Sequence, residues 1–248
     1  MLTAARQQLI LSLLADKETV RLQEIIEQTN ASESTIRRDL DTLEKKGKLK
    51  RVHGGASSAT PAKVEATMKE KTEKFHVEKD RIAAFAAGFI KENETIFLDA
   101  GSTTYLMIPY LDPSITVVTN GPGHLPMLAE QGITTYLIGG FVKAGTQAVI
   151  GANALEDLRQ YRFDRCFVGV NGITETDGLT TPDPEEAAIK KNVLAQSLSR
   201  YVLADHSKFG TRTFTKFGEL EDAILITDTS TPATEQLKDK TEIEVVHP

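Results

Sequence analysis

The residues best equipped for chemistry in the first quarter of the chain lie between Ser32 and Gly54. Ser34, Thr35, Arg37 and Arg38 come directly after Ser32, and Lys50, Arg51 and His53 precede Gly54-Gly55 a dozen residues later. Guanidinium groups can bond guanine edges in pairs, and short hydroxyls reach either a base or a phosphate. Any cation is drawn to the phosphate backbone. The same residues also suit a plain solvated helix followed by a charged turn, and charge alone does not separate the two.

A second set of chemically apt residues recurs along the rest of the chain, each group directly after an apolar run. These groups are Asp99-Ala100-Gly101-Ser102-Thr103-Thr104, Thr119-Asn120-Gly121, Gly139-Gly140, Gly169-Val170-Asn171-Gly172 and Asp205-His206-Ser207-Lys208. Glycines let a backbone approach a ligand, and hydroxyls with free N–H groups bind anions. Gly101, Ser102, Thr103 and Thr104 have the composition of a phosphate cradle, and Lys208 can add a point charge. Asp99, Asn120 and Asp164 can accept from sugar hydroxyls. One such turn is weak evidence, but several ending at one sheet edge favour a phosphorylated polyol or sugar. Asp99, Asp164 and Glu186 could also serve a general base. That keeps open a sugar-phosphate isomerase or deaminase with a DNA-binding head, although no His and carboxylate pair stands at a convincing spacing.

The elements that must position the first set are helical. Ile10, Leu13 and Leu14 mark a helix over 3–15, Thr19-Val20-Arg21 a short strand, and Ile25 and Ile26 the inner face of a helix over 22–29. Ser32 is a good N-cap for a third helix, whose Ile36, Leu40 and Leu43 line one face while the arginines lie off it. Gly47 stops that helix. Lys48 to His53 alternates basic and apolar residues as a short strand does, and Gly54-Gly55 turns the chain. Two short helices, a tight turn and a basic third helix with a strand-like edge make a winged helix-turn-helix. On Ser32, Thr35-Ile36-Arg37-Arg38-Asp39-Leu40, Leu43, Gly47, Leu49, Arg51 and His53-Gly54-Gly55-Ala56, the stretch resembles the DeoR family of bacterial transcription regulators. Glu18 departs from the family, which often carries a turn glycine there. The resemblance implies double-stranded operator DNA as partner and a DNA-binding set of Ser32, Ser34, Thr35, Arg37, Arg38, Lys50, Arg51, His53 and Gly54.

The second set sits in an alternating pattern. Helical faces such as Ile82, Ala83, Ala86, Phe89 and Ile90 alternate with apolar strands predicted at 95–99, 115–119, 134–138, 165–170, 201–204, 223–227 and 243–246. That is the pattern of an α/β domain with a largely parallel sheet, whose ligands bind beyond the carboxyl ends of the strands. This part is similar to the DeoR-family sensor domain, itself similar in fold to ribose-5-phosphate isomerase and glucosamine-6-phosphate deaminase. Beyond the loops already named, Phe163-Asp164, Gly178-Leu179-Thr180, Glu186-Ala187 and Lys190 carry the similarity. The resemblance implies that 101–104 hold the phosphate of a sugar-phosphate effector, with Lys190 and Lys208 in the same pocket. The effector set is thus Asp99, Gly101, Ser102, Thr103, Thr104, Asn120, Gly139, Gly140, Asp164, Asn171, Lys190 and Lys208. Within the family the head is most similar to repressors of fructose operons, with lactose phosphotransferase-system repressors a near relation. Fructose 1-phosphate, or else galactose 6-phosphate, is the implied effector, and no enzymatic activity, cofactor or metal is implied.

Composition sets the frame. At 248 residues, 26% charged and 40% hydrophobic, the chain can form a small head and a larger body with its own core. The net charge of −6 argues against nucleic acid until its distribution is read: residues 32–56 hold seven Lys/Arg against four acids. A mildly basic head on an acidic body fits a local, dimeric DNA contact. The single cysteine, Cys166, lies in an apolar run and reads as a buried thiol. The opening residues carry no charged-then-apolar leader, and no apolar run reaches the ~18 residues of a membrane span. The expectation is a cytoplasmic homodimer or homotetramer with no membrane partner. The polar stretch 57–63 marks the domain boundary, giving a head over 1–57, a linker over 58–77 and a sensor over 78–248.

Overall fold

The computed structural model describes residues 3–16, 19–46, 48–52, 54–58 and 66–246. The chain divides into two compact units, Met1–Val64 and Glu65–Pro248. The first contains α1 (Thr3–Asp16), β1 (Thr19–Arg21), α2 (Leu22–Thr29), α3 (Glu33–Lys45), β2 (Leu49–Val52) and β3 (Gly55–Ser58). Its core collects Ile10 and Leu14 from α1, Val20, Ile25 from α2, and Ile36, Leu40 and Leu43 from α3, closed by Leu49 and Ala56. Asn30, in the left-handed region at φ 51°, ends α2 and begins the turn into α3. β2 and β3 form an antiparallel hairpin, and β3 also pairs antiparallel with β1. Gly55 is required there, since a Cβ would lie 2.2 Å from the Val20 carbonyl oxygen.

The second unit opens with α4 (Met68–Glu73) and α5 (His76–Ala87). There follow β4 (Thr95–Leu98), α6 (Ser102–Met107), β5 (Thr116–Thr119), α7 (Leu125–Glu130), β6 (Thr134–Leu137), the hairpin β7 (Phe141–Val142) and β8 (Val149–Ile150), and α8 (Ala152–Leu158). Then come β9 (Phe163–Gly169), β10 (Gly172–Thr174), β11 (Gly178–Thr181), α9 (Pro184–Ala195), β12 (Ser197–Leu203), β13 (Thr215–Gly218), β14 (Ile224–Thr227), α10 (Pro232–Glu235) and β15 (Ile243–Val245). Seven strands form a wholly parallel sheet in the order β15-β14-β12-β9-β4-β5-β6. All seven strands predicted from the apolar runs are members of it. Residues alternate between its faces: Phe97, Cys166, Val168 and Val202 pack with α8 and α9, while Ile96, Leu98, Phe167 and Leu203 pack with α5 and α6. Both faces are covered over the inner strands, which accounts for their continuous apolar runs, while edge strand β6 stays largely exposed. Cys166 is fully buried, and burial pushes its thiol up to about 11, so it is an inert core residue.

Three expectations need correcting. The linker expected over 58–77 is structured at both ends, because Ser58 closes β3 and α4 packs as the first element of the body. A capping box between Thr67 and Glu70 starts α4, and the Met68 N–H donates to the Gly145 carbonyl at 3.0 Å. The strand expected at 165 begins two residues earlier, at Phe163. Finally, β10, β11 and β13 form an antiparallel sheet of their own that the apolar pattern did not announce. The stop at Gly47 lies outside the described residues, but the Lys48 N–H donates to the Leu43 carbonyl, closing the last turn of α3.

Candidate nucleic-acid interface and ligand cavity

In the head, Ser32 caps α3 as expected. Its hydroxyl accepts from the Thr35 N–H at 3.3 Å and lies 2.8 Å from the Thr35 hydroxyl and 3.1 Å from that of Ser34. Asp39 is buried on the opposite face of α3, paired with Arg6 at 2.5 Å and accepting from Gln7 at 3.1 Å. This network locks α3 onto α1 and leaves the Arg37 and Arg38 face outward. Arg38 is exposed and has no ion-pair partner among the described residues, whereas Arg37 pairs with Glu33 one turn back at 2.7 Å. On the wing, Lys50 is exposed and Arg51 pairs with Asp41 of α3 at 2.5 Å. The Arg51 N–H also donates to Glu44, so the wing is strapped to the helix it flanks. Gly54 takes a φ of 82° at the exposed hairpin tip. His53 lies outside the described residues. The result is one solvent-facing surface made from the first turns of α3 and from β2. Its surface ion pairs are weak enough to exchange for phosphate.

In the body, the sheet order places a switch point between β4 and β9, where connections leave in opposite directions. The Asp99 carboxylate bridges the two strand ends by accepting from the Gly169 N–H at 2.9 Å, and it pairs with Lys190 of α9 in a buried contact. Beside this point lies a cavity of about 250 Å³, lined by Ala100 and Tyr105, by Gly121, Gly123 and His124 after β5, by Thr146 and Gln147 of the β7–β8 hairpin, and by Met68 and Thr72 of α4. That volume suits a small ligand rather than a dinucleotide. α9 braces two sides of it. Glu186 accepts from Thr146 at 2.7 Å and from Lys143 at 2.9 Å, while Lys190, one turn on, holds Asp99 next to Ala100.

The expected effector residues divide by role. Ser102 and Thr103 are buried at the start of α6, and their hydroxyls take no partner among the described residues. Thr104 spends its hydroxyl on the loop itself, bonding the Asp99 and Gly101 carbonyls. Asn120 is likewise committed: its carboxamide oxygen accepts from the Ala100 N–H at 2.7 Å and so joins the β4 and β5 loops. The Gly139 N–H donates to Asp157, and Gly140 lies against the Ile150 carbonyl, so both shape the turn into β7 and neither lines the cavity. Asn171 accepts from Thr181, which ties it to β11.

Asp164 contradicts its expected place. It accepts from the Thr95 N–H at 2.8 Å, at the start of β4, beside the Arg165–Glu94 pair. Because β9 begins at Phe163, Asp164 is near the amino end of its strand, on the sheet edge opposite the cavity. It therefore belongs neither to an effector pocket nor to a general-base set there.

A polar cluster follows β12 and β14. Lys208 pairs with Asp205 at 3.0 Å, and His206 Nδ1 lies 2.8 Å from Asp228, a partner 22 residues on that local spacing could not reveal. Burial raises the pKa of Asp205, but Lys208, Ser207 and Lys79 outweigh it and hold it below the usual carboxylate value. Lys79 of α5 is buried and donates to the Lys71 carbonyl near the end of α4. Burial pulls its pKa down to about 8 against the opposing pull of Asp205. Sequence reasoning missed Lys79, His124, Thr146 and the two α4 residues. None follows an apolar strand directly, and α4 reads as a charged connector.

Comparison with known proteins matches both units. Residues 6–62 match the DeoR-like helix-turn-helix domain, and residues 74–229 match the DeoR C terminal sensor domain. The HTH-type transcriptional regulator FruR of Bacillus subtilis is 46% identical over 251 residues, covering 100% of both chains. A lactose phosphotransferase system repressor of Staphylococcus aureus is 35% identical over 218 residues, covering 86% of each. The HTH-type transcriptional regulator GlpR of Haloferax volcanii is 34% identical over 231 residues, covering 92% of this chain and 91% of that one. Among solved structures, ribose 5 phosphate isomerase A from Neisseria gonorrhoeae shares 20% identity at a TM-score of 0.40, over 58% of this chain and 56% of that one. Among the described residues no helix is long and apolar enough to cross a membrane. With both domains matched and a relative nearly half identical from end to end, the chain belongs to the DeoR family of transcriptional regulators.

Proposed function

We propose that this regulator represses a sugar catabolism operon of the phosphotransferase type, fructose being the favoured sugar, and that a phosphorylated sugar bound in the body controls it. The first unit reads operator DNA and the second reads the effector. The observation that carries the effector half is the small cavity beside the switch point, lined by Ala100 and Tyr105 at the two ends of the 101–104 turn but by none of those four residues. Backbone N–H groups and hydroxyls bind phosphate without a dedicated lysine, as the paired states of Lys190 and Lys208 require here. The names of two relatives, FruR and the lactose phosphotransferase system repressor, favour the operon class.

In the DNA half, a homodimer or a tetramer of dimers sets two α3 helices in successive major grooves about 34 Å apart. Arg37 and Arg38 divide between base edges and phosphates, and Lys50, Arg51 and His53 take phosphates. Effector binding favours a different placement of the heads and weakens operator binding. By linkage, operator DNA weakens the effector to the same degree.

The test is a thermal-shift screen of the full chain against fructose 1-phosphate, fructose 1,6-bisphosphate and galactose 6-phosphate. A ligand at 100 times its dissociation constant stabilises by about 2.7 kcal/mol. A hit that also releases operator DNA in a gel-shift assay supports the reading. No shift from any phosphorylated sugar overturns it. Turnover of a sugar phosphate during the incubation would make the body an enzyme instead.

A further inference from the structure

Most polar side chains in the cavity wall are spent on the protein itself. The Thr72 hydroxyl donates to the Met68 carbonyl at 2.8 Å, and the Thr146 hydroxyl donates to Glu186 at 2.7 Å. His124 contacts the Thr119 hydroxyl through Nδ1, its Nε2 is buried from solvent, and Tyr105 packs against its ring. Gln147 differs from these. It lines the cavity from the β7–β8 hairpin, it is exposed, and its carboxamide has no hydrogen-bond partner among the described residues. The carboxamide oxygen reaches toward the β5 loop, where it lies 3.8 Å from the place a Cβ on Gly123, another wall residue, would take.

The backbone beneath this side chain is held in an unfavourable state. Gln147 takes a φ of 59°, in the left-handed region that glycine adopts freely and a long side chain seldom does. The loop around it is fixed from several sides. The Gln147 N–H donates to the Lys143 carbonyl at 2.8 Å, and the Lys143 N–H donates to the Ala148 carbonyl at 2.9 Å. The Gly145 carbonyl accepts from Met68 of α4, and Thr146 and Lys143 are tied to Glu186 of α9. The Val149 N–H donates to the Asn120 carbonyl at 2.8 Å, which fastens the hairpin to the β5 loop. These anchors over-determine the conformation at 147, yet glutamine stands there rather than glycine. Strain of this kind gathers at ligand clamps.

We propose that Gln147 is a specificity-determining residue of the cavity, whose carboxamide hydrogen-bonds hydroxyls of the bound sugar. The inference rests on the sugar-phosphate reading of the same cavity and names the residue that reads the sugar rather than its charge. A carboxamide offers two N–H donors and an acceptor oxygen, and a sugar hydroxyl, which both donates and accepts, matches either. Because the hairpin is fixed without ligand, binding has to order little beyond the side chain itself. A glycine at 147 would ease the backbone and forfeit the contact. Glutamine there exchanges some stability of the empty body for affinity.

The experiment is isothermal titration of the full chain, with melting of the ligand-free protein alongside, for wild type, Gln147→Gly and Gln147→Met. The titrant is fructose 1-phosphate, or galactose 6-phosphate if wild type takes only that. Met keeps the length and the backbone strain but removes the polar atoms, whereas Gly removes both. Each variant should weaken binding about 5- to 30-fold. Gln147→Gly should also melt no lower than wild type, because it relieves the positive φ. Unchanged affinity in Gln147→Met would mean that bulk matters and the carboxamide does not, which overturns the proposal. Unchanged affinity in Gln147→Gly, or a lower melting temperature for it, overturns the proposal too. All three results leave the sugar-phosphate reading intact, since wild type still binds. If wild type binds no phosphorylated sugar, that reading falls and the inference with it. If neither variant folds, the side-chain amide resonances of Gln147 in wild type decide. They should move when the sugar phosphate is added, and static resonances in bound protein sink the idea.

Discussion

In the head, Arg38 and Lys50 stand in water, and Arg37 and Arg51 are held only by surface carboxylates. In the body, Lys190 carries the same charge but is buried against Asp99, and Thr104 and Asn120 are bonded to the loops around them. The contrast follows from what each surface meets. A face that docks on a polyanion gains by keeping its cations solvated and loosely paired, since counterion release then drives association. A cavity that must keep its shape empty needs its polar groups already satisfied. Residues of the right type are therefore exposed and loosely paired in the head and mostly scaffolding in the body.

The sharpest way to break this contrast is Lys190→Met. It leaves the Asp99 carboxylate buried without its cation and should cost about 3–5 kcal/mol in urea unfolding of the body. Adding Asp99→Asn should recover much of the loss. An unchanged midpoint would show that the pair does not hold the loop. Acid gives the next largest effect. The His124 ring titrates near 4 when folded and near 6.5 when unfolded, so the unfolded chain binds the extra proton between those values. Stability should therefore fall as pH drops from 6.5 to 4, by about 3 kcal/mol from this residue. His124→Gln should flatten that part of the pH profile, and an identical profile would place the ring in water.

The head should show the reverse signature. Arg38→Ala should weaken operator binding by about 1–3 kcal/mol in a gel-shift titration and relax sequence preference, with no change in melting temperature. Arg51→Ala should weaken all sequences alike and lower the salt slope by about one. A variant that lost both DNA and sugar-phosphate binding would instead point to a folding defect.

The fold was legible where burial writes a period. Ile36, Leu40 and Leu43 revealed α3, and runs such as Thr95–Leu98 revealed the inner strands of the main sheet, because strands covered on both faces are continuously apolar, while the edge strands β6 and β15 are polar in part and less buried. What escaped has no such signature. β10 and β11 are short, polar and rich in glycine and threonine; the charged stretch 64–77 does read as helical, but α4 within it has no buried residue of its own to announce its packing on the body. Asp164 was misplaced by composition: even a strand starting at 165 puts it at the amino end, where its carboxylate accepts from the Thr95 N–H, away from the strand carboxyl ends. His124 sits in an Asn-Gly-Pro-Gly-His turn, and its contact with the Thr119 hydroxyl depends on how that turn folds back.

The distances along the chain that these contacts close differ as much as the contacts do. Arg6 and Asp39 are 33 residues apart, whereas Lys190 and Asp99 are separated by 91 and Asp164 and Thr95 by 69. Local contacts form fast and long-range parallel pairings form slowly. During synthesis at about 5–20 residues per second, the head is complete roughly 10–40 s before the last strand of the sheet leaves the ribosome. Each newborn molecule therefore completes its helix-turn-helix unit while the parallel sheet of its sensor domain is still open.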